Sequence, residues 1–200
     1  KRKFKGWNSK FERCDFAKFI SNVSGGGAFK ECFDGAIGYL CNGYKDYAIT
    51  KVIMLTDFAI ARTKEEANGG TGKSIFITAI KNIMPSVQLP NLDKNKNFQF
   101  QSVKSNHKIA FFGDAPLGFQ FDILFDMITN DMITEAKNKT AEVIPFERSP
   151  KFIIATNHVI ASINPSTKRR MYTLEFKDYY SDRFSPKDEF GKLLFDGWND

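Results

Sequence analysis

Ala67-Asn68-Gly69-Gly70-Thr71-Gly72-Lys73-Ser74 stands between two apolar segments of different texture. Before it runs Val52-Ile53-Met54-Leu55, short and continuous; after it come Ile75-Phe76-Ile77, Ile80 and Ile83, spaced as on a helix. Strand, loop, helix is the natural reading. Gly69, Gly70 and Gly72 allow consecutive backbone N–H groups to turn inward around phosphate oxygens. The helix that follows adds the partial positive charge of its N-terminus. In this pattern Lys73 neutralises the β- and γ-phosphates of a nucleoside triphosphate such as ATP, and the Ser74 hydroxyl ligates Mg²⁺. Ala67 replaces the first glycine of the pattern, which a methyl group tolerates if φ stays negative.

Working downstream, Pro85 and Pro90 fall in a connection that continues through the polar stretch Asn91–Asn97. Ile109-Ala110-Phe111-Phe112 and Phe152-Ile153-Ile154-Ala155 are continuous apolar runs, as in parallel strands buried on both faces. Residues 121–129 read as a helix between them, residues 132–146 as a hairpin around Lys137-Asn138-Lys139, and Met171–Phe176 as a further strand. Asp114 closes the first run. A carboxylate at a strand end beside a phosphate loop serves the metal, the attacking water, or both. The neighbouring position, where a second acid is usual, is Gly113, and Glu135 and Glu142 are poor substitutes because they fall in the hairpin. Asn157 ends the second run, where an amide can bond the γ-phosphate or the water; taken alone, it would be an ordinary turn residue. Lys168-Arg169-Arg170 precedes the last strand. It is either a solvated basic face or, in an oligomer, a source of charge for a neighbour's γ-phosphate. His107 and His158 have no metal-ligand partners in sequence.

Upstream, Phe16, Phe19, Ile20 and Val23 recur at helical spacing, Ser24-Gly25-Gly26-Gly27 interrupts, and Phe29, Phe33, Ile37 and Leu40 share the face of a second helix. Residues 1–50 are therefore expected to be a helical lead-in and 51–200 the core. The chain has 200 residues, 42% hydrophobic and 26% charged, a globular composition with a net charge of +6 that suits a polyanionic partner. No stretch has the roughly 18–20 apolar residues of a membrane span. Cys14, Cys32 and Cys41 are odd in number and show no paired spacing, which points to buried or half-buried thiols in a cytoplasmic protein. The absence of an initiator Met leads us to expect a piece of a longer protein.

The succession N-G-G-T-G-K-S, acidic strand end, K-N-K hairpin, S-P-K-F-I-I-A-T-N-H (149–158) and K-R-R resembles the superfamily III helicases. It is most similar to the primase–helicase proteins of phages, large DNA viruses and mobile elements. Ile37–Leu40 and Glu189–Phe195 extend the resemblance over most of the chain. It implies an α/β, AAA+-type P-loop domain: a parallel sheet flanked by helices, with a short helical N-terminal portion. It also implies ATP and Mg²⁺ as ligands, single-stranded or forked DNA as partner, and a homo-oligomeric, usually hexameric, ring. Ala67–Ser74 match its Walker A, Asp114 its Walker B and Asn157 its sensor. Lys137 and Lys139 match the segment that forms a DNA-touching channel hairpin. Two other functions fit the same residues: an ATP-binding assembly or regulatory module with weak hydrolysis, and a small-molecule P-loop kinase, although no lid is evident.

Overall fold

The computed structural model describes residues 14–58, 70–91, 98–137, 140–158, 164–181 and 183–196. Five strands form a parallel sheet: β1 (Val52–Asp57), β2 (Ser86–Gln88), β3 (Ile109–Phe112), β6 (Lys151–Ala155) and β7 (Met171–Phe176), in the order β2-β3-β6-β1-β7. Every pairing is parallel, and β6 lies between β1 and β3. β4 (Met132–Thr134) and β5 (Glu142–Ile144) make a separate antiparallel hairpin. Six helices complete the described chain: α1 (Asp15–Ser24), α2 (Gly27–Cys41), α3 (Lys73–Ile83), α4 (Phe125–Thr129), α5 (Pro165–Arg170) and α6 (Pro186–Phe190). The α/β class expected from the sequence is the observed one.

The continuous apolar runs follow from burial on both faces. On one face Ile53, Leu55, Ile109, Phe111, Ile153, Leu174 and Phe176 pack with Phe19, Ile20 and Val23 of α1, Phe33 and Leu40 of α2, and Phe76 and Ile80 of α3. On the other face Val52, Met54, Ala110, Phe112, Phe152 and Ile154 meet Phe119, Phe121, Leu124, Ile128, Met132 and Ile144. Successive strand residues thus alternate between two cores. β7 differs because it is an edge: Leu174 and Phe176 are buried while Thr173 and Glu175 are exposed.

Several local expectations are corrected. Phe29 stands outside the core, 58% exposed, with the Lys177 ammonium 5.1 Å from its ring; Ala36 takes the buried place on α2 instead. The segment 121–129 is a 3-10 turn (Phe121–Leu124) running into the short α4. The connection bracketed by Pro85 and Pro90 contains β2, held on the sheet edge through Val87↔Ala110. Proline is tolerated at both ends because an edge strand leaves some N–H positions unpaired. Cys32 is exposed, whereas Cys14 and Cys41 are half-buried. Among the described residues, no helix is long and apolar enough to cross a membrane.

Candidate nucleotide site at the carboxyl edge of the sheet

The loop enters α3 through two glycines with left-handed backbones, Gly70 at φ 95° and Gly72 at φ 105°. Gly72 is required twice over. Its φ disfavours any L side chain, and a Cβ there would lie 2.6 Å from Cζ of the buried Phe19 ring. No side chain caps α3, although the N–H groups of Ile75 and Phe76 donate to Gly72 O at 3.0 and 3.2 Å. The start of this helix therefore keeps backbone donors for another acceptor.

Gly70–Ile75, Gly113, Asp114, Asn157 and Pro186 line one cavity of about 380 Å³. The sheet brings these distant residues together because loop, Asp114 and Asn157 each follow the carboxyl end of a parallel strand. A backbone clamp sets their spacing. Thr156 N–H donates to Leu55 O at 3.0 Å, Ala115 N–H to Ala155 O at 2.8 Å, and the Thr156 hydroxyl to Ala115 O at 2.9 Å. Asp114 and Ser74 are exposed in the cavity, Asn157 is half-buried and Lys73 is buried.

One residue escaped the sequence reading. Asp57 ends β1, 5% exposed, and forms a salt bridge with the Lys73 ammonium. The Thr71 hydroxyl donates to the same Oδ1 at 2.5 Å. The signal for Asp57 in the sequence is an acid two residues beyond the apolar run Val52–Leu55, and the strand runs on to include it.

The other expected site residues lie elsewhere. Met171 pairs with Val52 and Phe176 with Asp57, so Arg169 and Arg170 sit at the amino end of the sheet. That is roughly 16 Å of strand away from the chain's own glycine-rich loop. Arg170 is half-buried, its guanidinium 4.7 Å from the Phe125 ring and donating to Ser166 O at 3.2 Å. Arg169 is exposed. Lys137 is exposed in the turn of the β4–β5 hairpin. Ala67, Asn68, Gly69 and Lys139 lie outside the described residues.

The profile of a family of unknown function matches residues 66–170, over half of the chain. Two solved structures of the NrS-1 C-terminal region are similar at TM-score 0.57, with 14% and 17% identity over 88% of this chain and 42% and 41% of theirs. The JCV helicase, solved with a thiazolopyridine-bearing acetamide, is similar at TM-score 0.51 and 11% identity over 82% of this chain and 45% of that one. The likeness is one of fold, and this chain spans less than half the length of each of those structures. No curated protein sequence matches it.

Proposed function

Because the chain belongs to the family of unknown function DUF5906, its activity has to be inferred from its site, and we propose that it is the ATP-hydrolysing motor of a DNA helicase of the primase–helicase type. The observation that carries this reading is the convergence of Gly70–Ser74, Asp114 and Asn157 on one cavity, at an uncapped helix start. Glycines in left-handed conformations, a lysine and a hydroxyl at the first helical turn, and a carboxylate across the cavity form a donor set suited to a polyphosphate and a hard divalent cation. Lys73 and the loop N–H groups would hold the β- and γ-phosphates. Ser74 and Asp114 would hold Mg²⁺, which when bound neutralises charge on the transferring phosphoryl group. Asn157 would orient the attacking water or the γ-phosphate from the neighbouring strand end.

The fold shared with the JCV helicase supports a motor rather than a small-molecule kinase. On this reading Lys137 and Lys139 touch DNA phosphates, and Arg169 and Arg170 serve an adjacent subunit of a ring, usually hexameric. The deciding experiment is ATP turnover with and without single-stranded DNA. A several-fold stimulation is expected. Full ATP binding with turnover indifferent to DNA would favour the second reading, an assembly or regulatory module with weak hydrolysis. One observation speaks for that alternative: among the described residues lining the cavity, Asp114 is the only carboxylate, with Gly113 beside it.

A further inference from the structure

A phosphate loop has no need of a carboxylate at the end of its preceding strand, since a negative charge there opposes the anion the cavity would receive. Asp57 nevertheless occupies that place, and burying it is costly unless it is paired. The pairing is local. Oδ1 of Asp57 takes both the Lys73 salt bridge and the Thr71 hydrogen bond, and Lys73 Nζ lies 3.2 Å from Thr71 Oγ1. Asp57, Thr71 and Lys73 are 5%, 6% and 8% exposed. The carboxylate is also held firmly in place. β1 is paired with β7 as far as Asp57↔Phe176, and the next residue's N–H donates to Phe176 O at 2.8 Å. Two members of the trio belong to the loop, and the third is anchored to the sheet.

We propose that Asp57 is a built-in competitor for the phosphates. It holds the Lys73 ammonium and the Thr71 hydroxyl, and nucleotide gains the lysine only by drawing it off this carboxylate. The inference rests on the nucleotide reading above. The step exchanges one anionic acceptor for another; no covalent bond changes and both side chains keep their charges. A lone phosphate oxygen competes poorly with a carboxylate already fixed in place. A di- or triphosphate that also engages the loop N–H groups displaces it at a cost in affinity, so the trio tempers the binding of compounds with a β-phosphate and leaves those without one untouched. The released carboxylate then lies next to bound ADP and promotes its departure.

The test is calorimetric binding of pyrophosphate, ADP and AMP to the protein and to Asp57→Asn, which keeps the shape and removes the charge. Pyrophosphate and ADP should bind the variant roughly tenfold more tightly, the worth of one charge-assisted hydrogen bond. AMP should bind as before, and KM for ATP should fall without a rise in kcat. Equal or weaker pyrophosphate binding by the variant, with normal binding by the unaltered protein, overturns the competitor role alone. Failure of both proteins to bind any of the three overturns the nucleotide reading and this role with it. If Asp57→Asn does not fold, the unaltered protein decides: the ¹³C signal of the Asp57 carboxyl should move as pyrophosphate saturates. A signal indifferent to saturation overturns the proposal.

Discussion

Replacing Lys73 with Met removes a cation from Asp57 and, on the proposed reading, from the phosphates as well. The Asp57 carboxylate would remain buried without its ion pair, which costs about 3 kcal/mol at the lower end for such pairs, given the cavity beside it. Lys73→Met should therefore lose ATP binding and also unfold at lower urea. Adding Asp57→Asn should recover most of the stability and none of the turnover; recovery of neither would mean that the pair is not what holds the loop. Asp114→Ala is the cleaner probe because Asp114 is exposed. It should leave stability and ATP affinity nearly unchanged while Mg²⁺-dependent turnover falls at least tenfold, about 1.4 kcal/mol of barrier. A second residue-scale test concerns Lys45, whose ammonium donates to Ser149 Oγ at 2.6 Å and lies 4.2 Å from the Phe146 ring. Burial, and then the nearby Lys151 charge, push its pKa down to about 8 from 10.5. Below pH 8 both folded and unfolded chains carry this proton, and the folded state bears the full penalty. Between pH 8 and 10.5 only the unfolded state holds the proton, so this group's contribution to stability rises with pH. Lys45→Met should accordingly be more stable than the parent by roughly 2–3 kcal/mol at pH 7. Denaturant midpoints across the range should show that advantage shrinking above pH 8; an advantage constant to pH 10 would refute the assignment.

At the scale of elements, the start of α3 is built against α1. Gly72→Ala forces a methyl group into the Phe19 ring at a positive φ, and that ring is itself stacked on Phe16 and Tyr180 at 5.9 and 5.7 Å between centroids. The expected loss is roughly 2–4 kcal/mol from overpacking and backbone strain together. Phe19→Leu, mildly destabilising alone, should relieve part of it, and a thermal double-mutant cycle measures the coupling. Additive effects would show that the ring is not what excludes a side chain at position 72. The loop was legible in the sequence because glycine spacing, a preceding apolar run and a following helical periodicity agree. The role of Phe19 was not, because an i, i+3, i+4 pattern reports burial but not what the buried ring touches. β2 was hidden for a related reason: three residues between two prolines carry no periodicity, and the strand exists through its pairing with β3.

For the whole molecule, the parallel sheet separates two ends. The glycine-rich loop, Asp114 and Asn157 follow carboxyl ends of strands, while Arg169 and Arg170 precede the amino end of β7. An arginine roughly a strand's length from its own loop does not reach a nucleotide held there, so on the proposed reading it would serve another subunit's. Of the two, Arg169 is the better candidate because it is exposed, whereas Arg170 stacks on Phe125 within the fold. Arg170→Ala should lower stability by about 1 kcal/mol through the lost cation–π contact. Arg169→Ala should leave stability intact and abolish turnover while ATP still binds. Mixing Arg169→Ala with Asp114→Ala subunits should restore part of the activity, since some interfaces then combine an intact cavity with an intact arginine. Mixed oligomers, verified by light scattering, that stay inactive would exclude a role in trans. Removing the charges of Lys137 and Lys139 together should weaken single-stranded DNA binding and flatten its salt dependence by about two counterions, with basal hydrolysis preserved.

The sequence by itself determined the α/β class, the buried strands, the glycine-rich turn into a helix and the strand-end positions of Asp114 and Asn157. All of these are local patterns: apolar runs, helical spacing, glycine punctuation. Only the tertiary structure decided that β6 lies between β1 and β3, and so that the three strand ends share one cavity. It alone joined Asp57 to Lys73 and set Arg169 and Arg170 at the opposite end of the sheet. The physical reason is that strand order and ion pairing depend on which distant segments meet, and residues far apart along the chain leave no periodicity that records their contact.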